Sequence, residues 1–158
     1  MNGKMPLTLN RGFYFEVYGG PYRKLPEGMA GVKMAEEIHA HCKVSVPTRD
    51  FHTPPYAVAA QGLIDTLKYV MSGTPVYIGC AGGIGRTGLM LALLAKAWGI
   101  KDPVAYVRQH YIPHAVETAH QKEYVETFVI PNEAIKLIKK QRLLSWLRFG
   151  PKNLTIRD

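Results

Sequence analysis

A chain of 158 residues has the length of one domain with a sizeable core, and its 47% hydrophobic content is that of an ordinary globular protein. No apolar run approaches a membrane span, the opening Met1-Asn2-Gly3-Lys4-Met5-Pro6 lacks the apolar stretch of a secretion signal, and two cysteines cannot build a disulfide framework, so a reducing, cytoplasmic setting is expected. The net charge of +8 favours anionic substrates or partners.

Residues 1–29 are mixed in character. Phe13-Tyr14-Phe15-Glu16-Val17-Tyr18 is aromatic and β-prone, and Gly19-Gly20-Pro21 reads as the turn that closes the strand. Arg11, Tyr22 and Arg23 stand near these turns, either as plain loop residues or as the border of a substrate site. Residues 30–41 place Val32, Ala35 and Ile38 on one side of a predicted helix, and Cys42-Lys43-Val44-Ser45-Val46-Pro47 reads as a short strand. His39, His41 and Cys42 crowd together but lack the second pair of ligands that zinc requires, so no metal is expected. Thr48-Arg49-Asp50-Phe51-His52-Thr53-Pro54-Pro55 is a polar loop with a single Asp, closed by two prolines. A helix is predicted over residues 55–72, with Ala60, Leu63, Ile64, Leu67, Val70 and Met71 on one stripe, ending at Ser72-Gly73-Thr74-Pro75.

The most informative stretch follows. Pro75-Val76-Tyr77-Ile78 reads as a buried strand, Gly79-Cys80-Ala81-Gly82-Gly83-Ile84-Gly85 as a glycine-rich turn, and Thr87 to Trp98 as a helix apolar on nearly every side. Glycines at 82, 83 and 85 let successive N–H groups turn inward as an anion-binding nest, and the following helix aims its positive end at the same point. Cys80 closes the strand and Arg86 opens the helix. A thiol among amide donors beside a guanidinium is favoured as the nucleophilic thiolate, and the guanidinium can grip two oxygens of a phosphate.

Cys, five residues, Arg and Thr, in the form CAGGIGRTG, resembles the signature loop of the cysteine-dependent tyrosine and dual-specificity phosphatase superfamily, with Gly79 where that family usually carries His. Asp50-Phe51-His52-Thr53-Pro54, 30 residues before Cys80, is similar to the family's mobile general-acid loop, an Asp followed after three residues by Pro, with Thr48-Arg49 in place of the usual Trp-Pro. A third segment, from Val107-Arg108 onward, resembles the part of the family that ends in a Gln followed by aromatics. Gln121 there matches the residue that positions water in the second chemical step. The resemblance spans residues 44–128.

The resemblance implies one α/β domain: a short central twisted sheet flanked by helices, with the signature loop between the central strand and the buried helix. Residues 1–130 would form the catalytic domain and residues 131–158 a basic helical extension packed on it. The implied reaction is hydrolysis of a phosphate monoester through a phosphocysteine. Cys80 would attack phosphorus, while Arg86 and the loop Ala81, Gly82, Gly83, Ile84 and Gly85 hold the phosphate oxygens. Asp50 would protonate the leaving group, with His52 as the alternative acid or a substrate contact. Thr87 would assist the leaving sulfur and Gln121 would orient the water. No cofactor is required. Cys42 would be either a thiol that traps oxidised Cys80, as in some family members, or a small core residue.

The neutral loop interior leans toward phosphorylated protein, as in a tyrosine or dual-specificity enzyme. The alternatives are a nucleic-acid 5′ end and an inactive phosphate-binding module. Beyond the loop, Gly99 is a natural helix stop, and Asp102-Pro103 is an N-cap followed by Pro at the first helical position, opening a helix to about Tyr111. A last helix is predicted from Glu133 to Phe149, with Ile135, Ile138, Trp146 and Phe149 on one face packed on the domain. Between Glu133 and Asp158 stand seven Lys and Arg against two acids, +5 of the net charge. Such a segment suits a nucleic acid or an acidic surface, or is a solvated helix face.

Overall fold

The computed structural model describes residues 2–9 and 14–148. Its centre is a five-stranded sheet of β1 (Gly3–Thr8), β2 (Tyr14–Pro21), β3 (Ala30–Ala35), β4 (Val44–Thr48) and β5 (Val76–Cys80), in the order β1-β2-β5-β3-β4. β1 runs antiparallel to β2, and the other neighbours are parallel. The helices are α1 (Tyr56–Met71), α2 (Gly85–Ala97), α3 (Pro103–His110), α4 (Ala119–Thr127) and α5 (Asn132–Arg148).

The α/β class expected from the sequence is what the chain adopts, with β5 central and all five of its residues buried. Such a strand needs an unbroken apolar run, which Val76-Tyr77-Ile78 supplies. α2 is buried from Gly85 to Ala95 and touches each of the other four helices, so its all-round apolar sequence is the helical core of the domain. Asp102 caps α3 by accepting from the Ala105 N–H at 3.1 Å, with Pro103 first in the helix.

Three segments differ from the sequence reading. Residues 30–41, predicted helical, form β3 and then a turn. Gly31, Val32, Met34 and Ala35 are all buried, and a strand covered on both faces no longer shows the alternation that separates it from a helix. The turn expected at Gly19-Gly20-Pro21 is instead the end of β2, where Gly19, Gly20 and Pro21 pair with Ile78, Gly79 and Cys80. Arg11, Phe13 and Phe149 lie outside the described residues. α5 packs on α1 and α2 through Ala134 and Ile138, whereas Trp146, expected on that inner face, is 47% exposed.

Gly79 has a local cause in this sheet. It pairs with Gly20 on one side and Lys33 on the other, and a Cβ there would stand 2.7 Å from Tyr22 Cα and 2.9 Å from both Tyr22 N and the Gly20 carbonyl oxygen. These are backbone atoms, so no rotamer change relieves the clash. Gly79→Ala is expected to destabilise the domain by about 1–3 kcal/mol, and Gly79→His by more, read as lower denaturant midpoints. An unaltered midpoint for Gly79→His would mean that β2 and the turn after it yield freely.

Candidate active site

β5 ends on Cys80 and α2 begins at Gly85, so residues 81–84 must reverse direction within four positions. The turn is possible because Gly83 adopts φ +72°. Cys80 Sγ, 3% exposed, accepts hydrogen bonds from the Gly83 N–H and from the Thr87 hydroxyl, both at 3.2 Å. Two hydrogen-bond donors thus converge on one sulfur. Ala81 and Gly82 are open to solvent above it, while Ile84 is half-buried and Gly85 buried.

The side chain of Arg86 is only 1% exposed, and its charge is met from three directions. Nη1 donates to Glu37 Oε2 and to the Thr48 carbonyl, each at 2.8 Å, and Nη2 donates to Glu37 Oε1 at 2.7 Å. Asp50 Oδ1 lies 3.3 Å from Nη2. The Nε–H is buried and has no partner among the described residues. The hydrogen bonds to Arg86 hold the Glu37 carboxyl down to about 2 against its burial. Burial pulls the Arg86 guanidinium down, but Glu37 and the neighbouring Cys80 and Asp50 outweigh it and hold it above its ordinary range.

The polar loop after β4 reaches Arg86 through Asp50. Asp50 Oδ1 also accepts from the Phe51 N–H at 3.1 Å, and Phe51, at φ +59°, turns its ring outward at 56% exposure. His52 Nδ1 lies 2.6 Å from the Asp50 carbonyl oxygen. α4 braces this loop: Gln121 Nε2 donates to the His52 carbonyl at 3.2 Å, and His120 Nε2 lies 3.2 Å from Thr53 Oγ1. Gln121 is fully buried, and its Oε1 accepts from the N–H groups of Glu117 at 3.0 Å and Thr118 at 3.2 Å, half of a capping box on α4.

The structure thus brings Cys80, Arg86, Thr87, Asp50 and Gln121 together around the turn of residues 81–85. Tyr22 is buried with its hydroxyl on the His41 carbonyl at 2.6 Å, while Arg23 is exposed. Cys42 stands apart. Val44 pairs with Val32 and Val32 with Ile78, so the register puts Cys42 near the far end of the sheet, about 13 Å below the level of Cys80. Two carboxylates escaped the sequence reading. Glu37 sat in what was taken for a helix, 49 positions from Arg86, and nothing in its spacing pairs the two. Glu117 sits beside the signature loop: a Cβ on Gly85 would stand 2.7 Å from Glu117 Oε2 and 3.0 Å from Gln121 Oε1. The spacing of four between Glu117 and Gln121 on α4's entry was the available signal. Arg108 fixes that entry by donating from Nε to the Ala115 carbonyl at 3.0 Å and from Nη2 to the Val116 carbonyl at 2.9 Å, with Val116 at φ +59°.

Among the described residues no cluster of His, Cys, Asp and Glu could hold a metal, and no helix is long and apolar enough to cross a membrane. A family model described as PTP-SAK, a Swiss Army Knife protein DSP-PTPase phosphatase domain, matches residues 26–146. Uncharacterized protein MJECL20 of Methanocaldococcus jannaschii is 42% identical over 86 residues, 53% of this chain and 57% of that protein. Uncharacterized protein MJ0215 of the same organism is 45% identical over 82 residues, 51% of this chain and 50% of that protein. The matches therefore span about half the length of these curated relatives. Among solved structures, Tk-PTP in its active form superposes with a TM-score of 0.59 at 23% identity, covering 78% of this chain and 95% of that one. Kinase associated phosphatase does so with a TM-score of 0.57 at 16% identity, covering 79% and 92%. DUSP15 gives 0.55 at 13% identity, covering 90% and 97%. These likenesses show a shared fold.

The Glu37–Arg86 pair carries a pH signature. Because the folded-state carboxyl is depressed to about 2 from an ordinary 4.5, its stabilising contribution is complete above the higher value and is lost as pH falls through the lower. Urea melts of the parent protein and Glu37→Gln, from about pH 2 to pH 7, should show a stability gap that closes on the acid side of this window. A gap of constant size at every pH would mean that the carboxylate's charge contributes nothing.

Proposed function

The chain belongs to the DSP-PTPase phosphatase domain family; on this premise we propose that it is a cysteine phosphatase that hydrolyses phosphate monoesters on protein side chains through a phosphocysteine intermediate. The observation that carries the reading is the pairing of a twice hydrogen-bonded Cys80 sulfur with a buried Arg86 Nε–H that has no partner among the described residues. A buried unsatisfied donor is costly, and a phosphoryl oxygen in the cradle supplies its acceptor.

Cys80 Sγ attacks phosphorus in line with the ester oxygen, forming the S–P bond as the P–O bond breaks. The inward amides of residues 81–85 and Arg86 hold the three non-bridging oxygens. Asp50 gives its proton to the departing oxygen, which would otherwise leave as a poor leaving group. In the second step Asp50, now a carboxylate, takes a proton from water as that water attacks phosphorus. The sulfur then leaves as a thiolate held by the Gly83 N–H and the Thr87 hydroxyl. Gln121 has one Nε2–H beyond the one given to His52, and this is the donor that would orient the water.

Two features favour a phosphoprotein over a nucleic-acid 5′ end. Phe51 offers an exposed ring beside Asp50, suited to the aryl group of a phosphotyrosine. Glu117, an exposed carboxylate beside Gly85, borders the cradle and repels a second phosphate carried by the same substrate.

Turnover of para-nitrophenyl phosphate, a phosphotyrosyl peptide and a 5′-phosphorylated oligonucleotide, with chelator present and pH varied, tests the reading. The parent protein should turn over the first two best, Cys80→Ser should abolish activity, and Asp50→Asn should lower kcat about 10²–10⁴-fold while flattening the basic limb of the pH profile. Faster turnover of the oligonucleotide would transfer the proposal to nucleic acid. No turnover of any ester would leave a phosphate-binding module.

A further inference from the structure

The inward-facing amides of the signature loop need something to hold their carbonyls outward, and the structure shows what does so. Asn2 Nδ2 donates to the Gly82 carbonyl at 3.1 Å and to the Gly83 carbonyl at 3.2 Å. The Tyr111 hydroxyl, from the end of α3, donates to the same Gly83 carbonyl at 2.7 Å in a buried setting. In a trans peptide the carbonyl and the next residue's N–H point in opposite directions. Drawing the Gly82 carbonyl toward Asn2 therefore turns the Gly83 N–H the other way, and that N–H lies on Cys80 Sγ at 3.2 Å. Drawing the Gly83 carbonyl toward Tyr111 likewise turns the Ile84 N–H away from Tyr111 and into the loop.

The surroundings are shaped for this contact. The Asn2 N–H is paired to the Gly19 carbonyl at 2.8 Å at the start of β1. A Cβ on Gly19 would stand 2.9 Å from the Tyr111 ring, and one on Gly3 would stand 2.8 Å from the Tyr111 carbonyl oxygen. A Cβ on Gly83 would run into Gly20 and the Asn2 amide. Gly3, Gly19 and Gly83 thus admit one tyrosine and one asparagine to the back of the loop. Burial pushes the Tyr111 hydroxyl well above its ordinary range, so it stays a donor throughout the working range of such a site.

The geometry points to Asn2 and Tyr111 as positioning residues that set the loop's amides toward sulfur and phosphate, acting through the Gly82 and Gly83 carbonyls and touching no substrate. The inference rests on the phosphatase reading of this site and assigns it a supporting pair from outside the signature sequence. It also ranks the two: Tyr111 makes a buried bond, whereas Asn2 works at an exposed position where water competes.

The test compares the parent protein with Asn2→Ala, Tyr111→Phe and the double variant. Tyr111→Phe keeps the ring that packs on β1 and β2 and removes only the donor. Tungstate binding by calorimetry should weaken about three- to tenfold for Tyr111→Phe, less for Asn2→Ala and most for the double variant. Alkylation of Cys80 by iodoacetate at mildly acidic pH, followed by mass spectrometry of its peptide, should slow in the same order. Thermal melts separate bracing from positioning: a double variant that melts lower yet binds tungstate and alkylates like the parent overturns the inference. Failure of the phosphatase reading looks different. A parent protein that hydrolyses no ester, while the variants still show the ordered loss of tungstate affinity and thiol reactivity, sustains the positioning role and removes only the catalytic reading.

Discussion

The buried guanidinium of Arg86 is the constraint on which this structure turns. An unpaired charge at 1% exposure would cost several kcal/mol, so its partners are a condition of folding as well as of chemistry. They come from separate parts of the chain: Glu37 from the turn after β3, the Thr48 carbonyl from the end of β4, and Asp50 from the loop beyond it. All three lie on the same flank of β5 because β3 and β4 follow it in the sheet order. The terminal nitrogens are engaged by protein acceptors, while the Nε–H has none among the described residues. A site that commits most of a buried charge to its own scaffold and withholds one donor is organised before anything binds.

The opposite flank of β5 completes the symmetry of that design. β2 and β1 lie there, and from their ends come Gly20, whose backbone passes against Gly79 and Gly83, and Asn2, whose amide reaches the loop carbonyls. Placing the nucleophile's strand third of five gives its loop neighbours on both sides. One flank fixes the arginine and the other fixes the peptide planes. An edge strand would have offered only one of these. The glycine at 79 follows from the same closeness, since the β2 chain turns directly over the position where a side chain would begin.

The sequence disclosed those parts of the site that are local in the chain. The turn between Cys80 and Thr87, the buried α2 and the cap at Asp102 are each specified within about ten residues, where turn chemistry and periodicity act directly. The Asp50 loop, a polar turn with one acid and two prolines, stood out only through its resemblance to a general-acid loop 30 residues before Cys80. What stayed hidden depends on the register of strands. Glu37 meets Arg86, Asn2 meets Gly82 and Tyr111 meets Gly83 across separations of 49, 80 and 28 residues, and no local pattern encodes them. β3 was misread because burial on both faces erases alternation, leaving Ala, Met, Glu and Lys to suggest a helix. Gln121 shows a middle case. The family resemblance singled it out, but its engagement with the helix cap and with the His52 carbonyl required the tertiary contact.

Charge works at two ranges in this molecule, with opposite signs. Over its whole surface the chain is strongly cationic at +8, which draws anions toward it at distances up to a Debye length. Around the loop carboxylates gather instead, for Glu37 and Asp50 pair with Arg86 and Glu117 stands beside Gly85. A monoester places its dianion among the inward amides and Arg86, where attraction dominates at short range. A second phosphate nearby would have no such cradle and would face the carboxylates. On the proposed reading, the long-range field draws anions of every kind, and Glu117 disfavours those whose charge remains outside the loop.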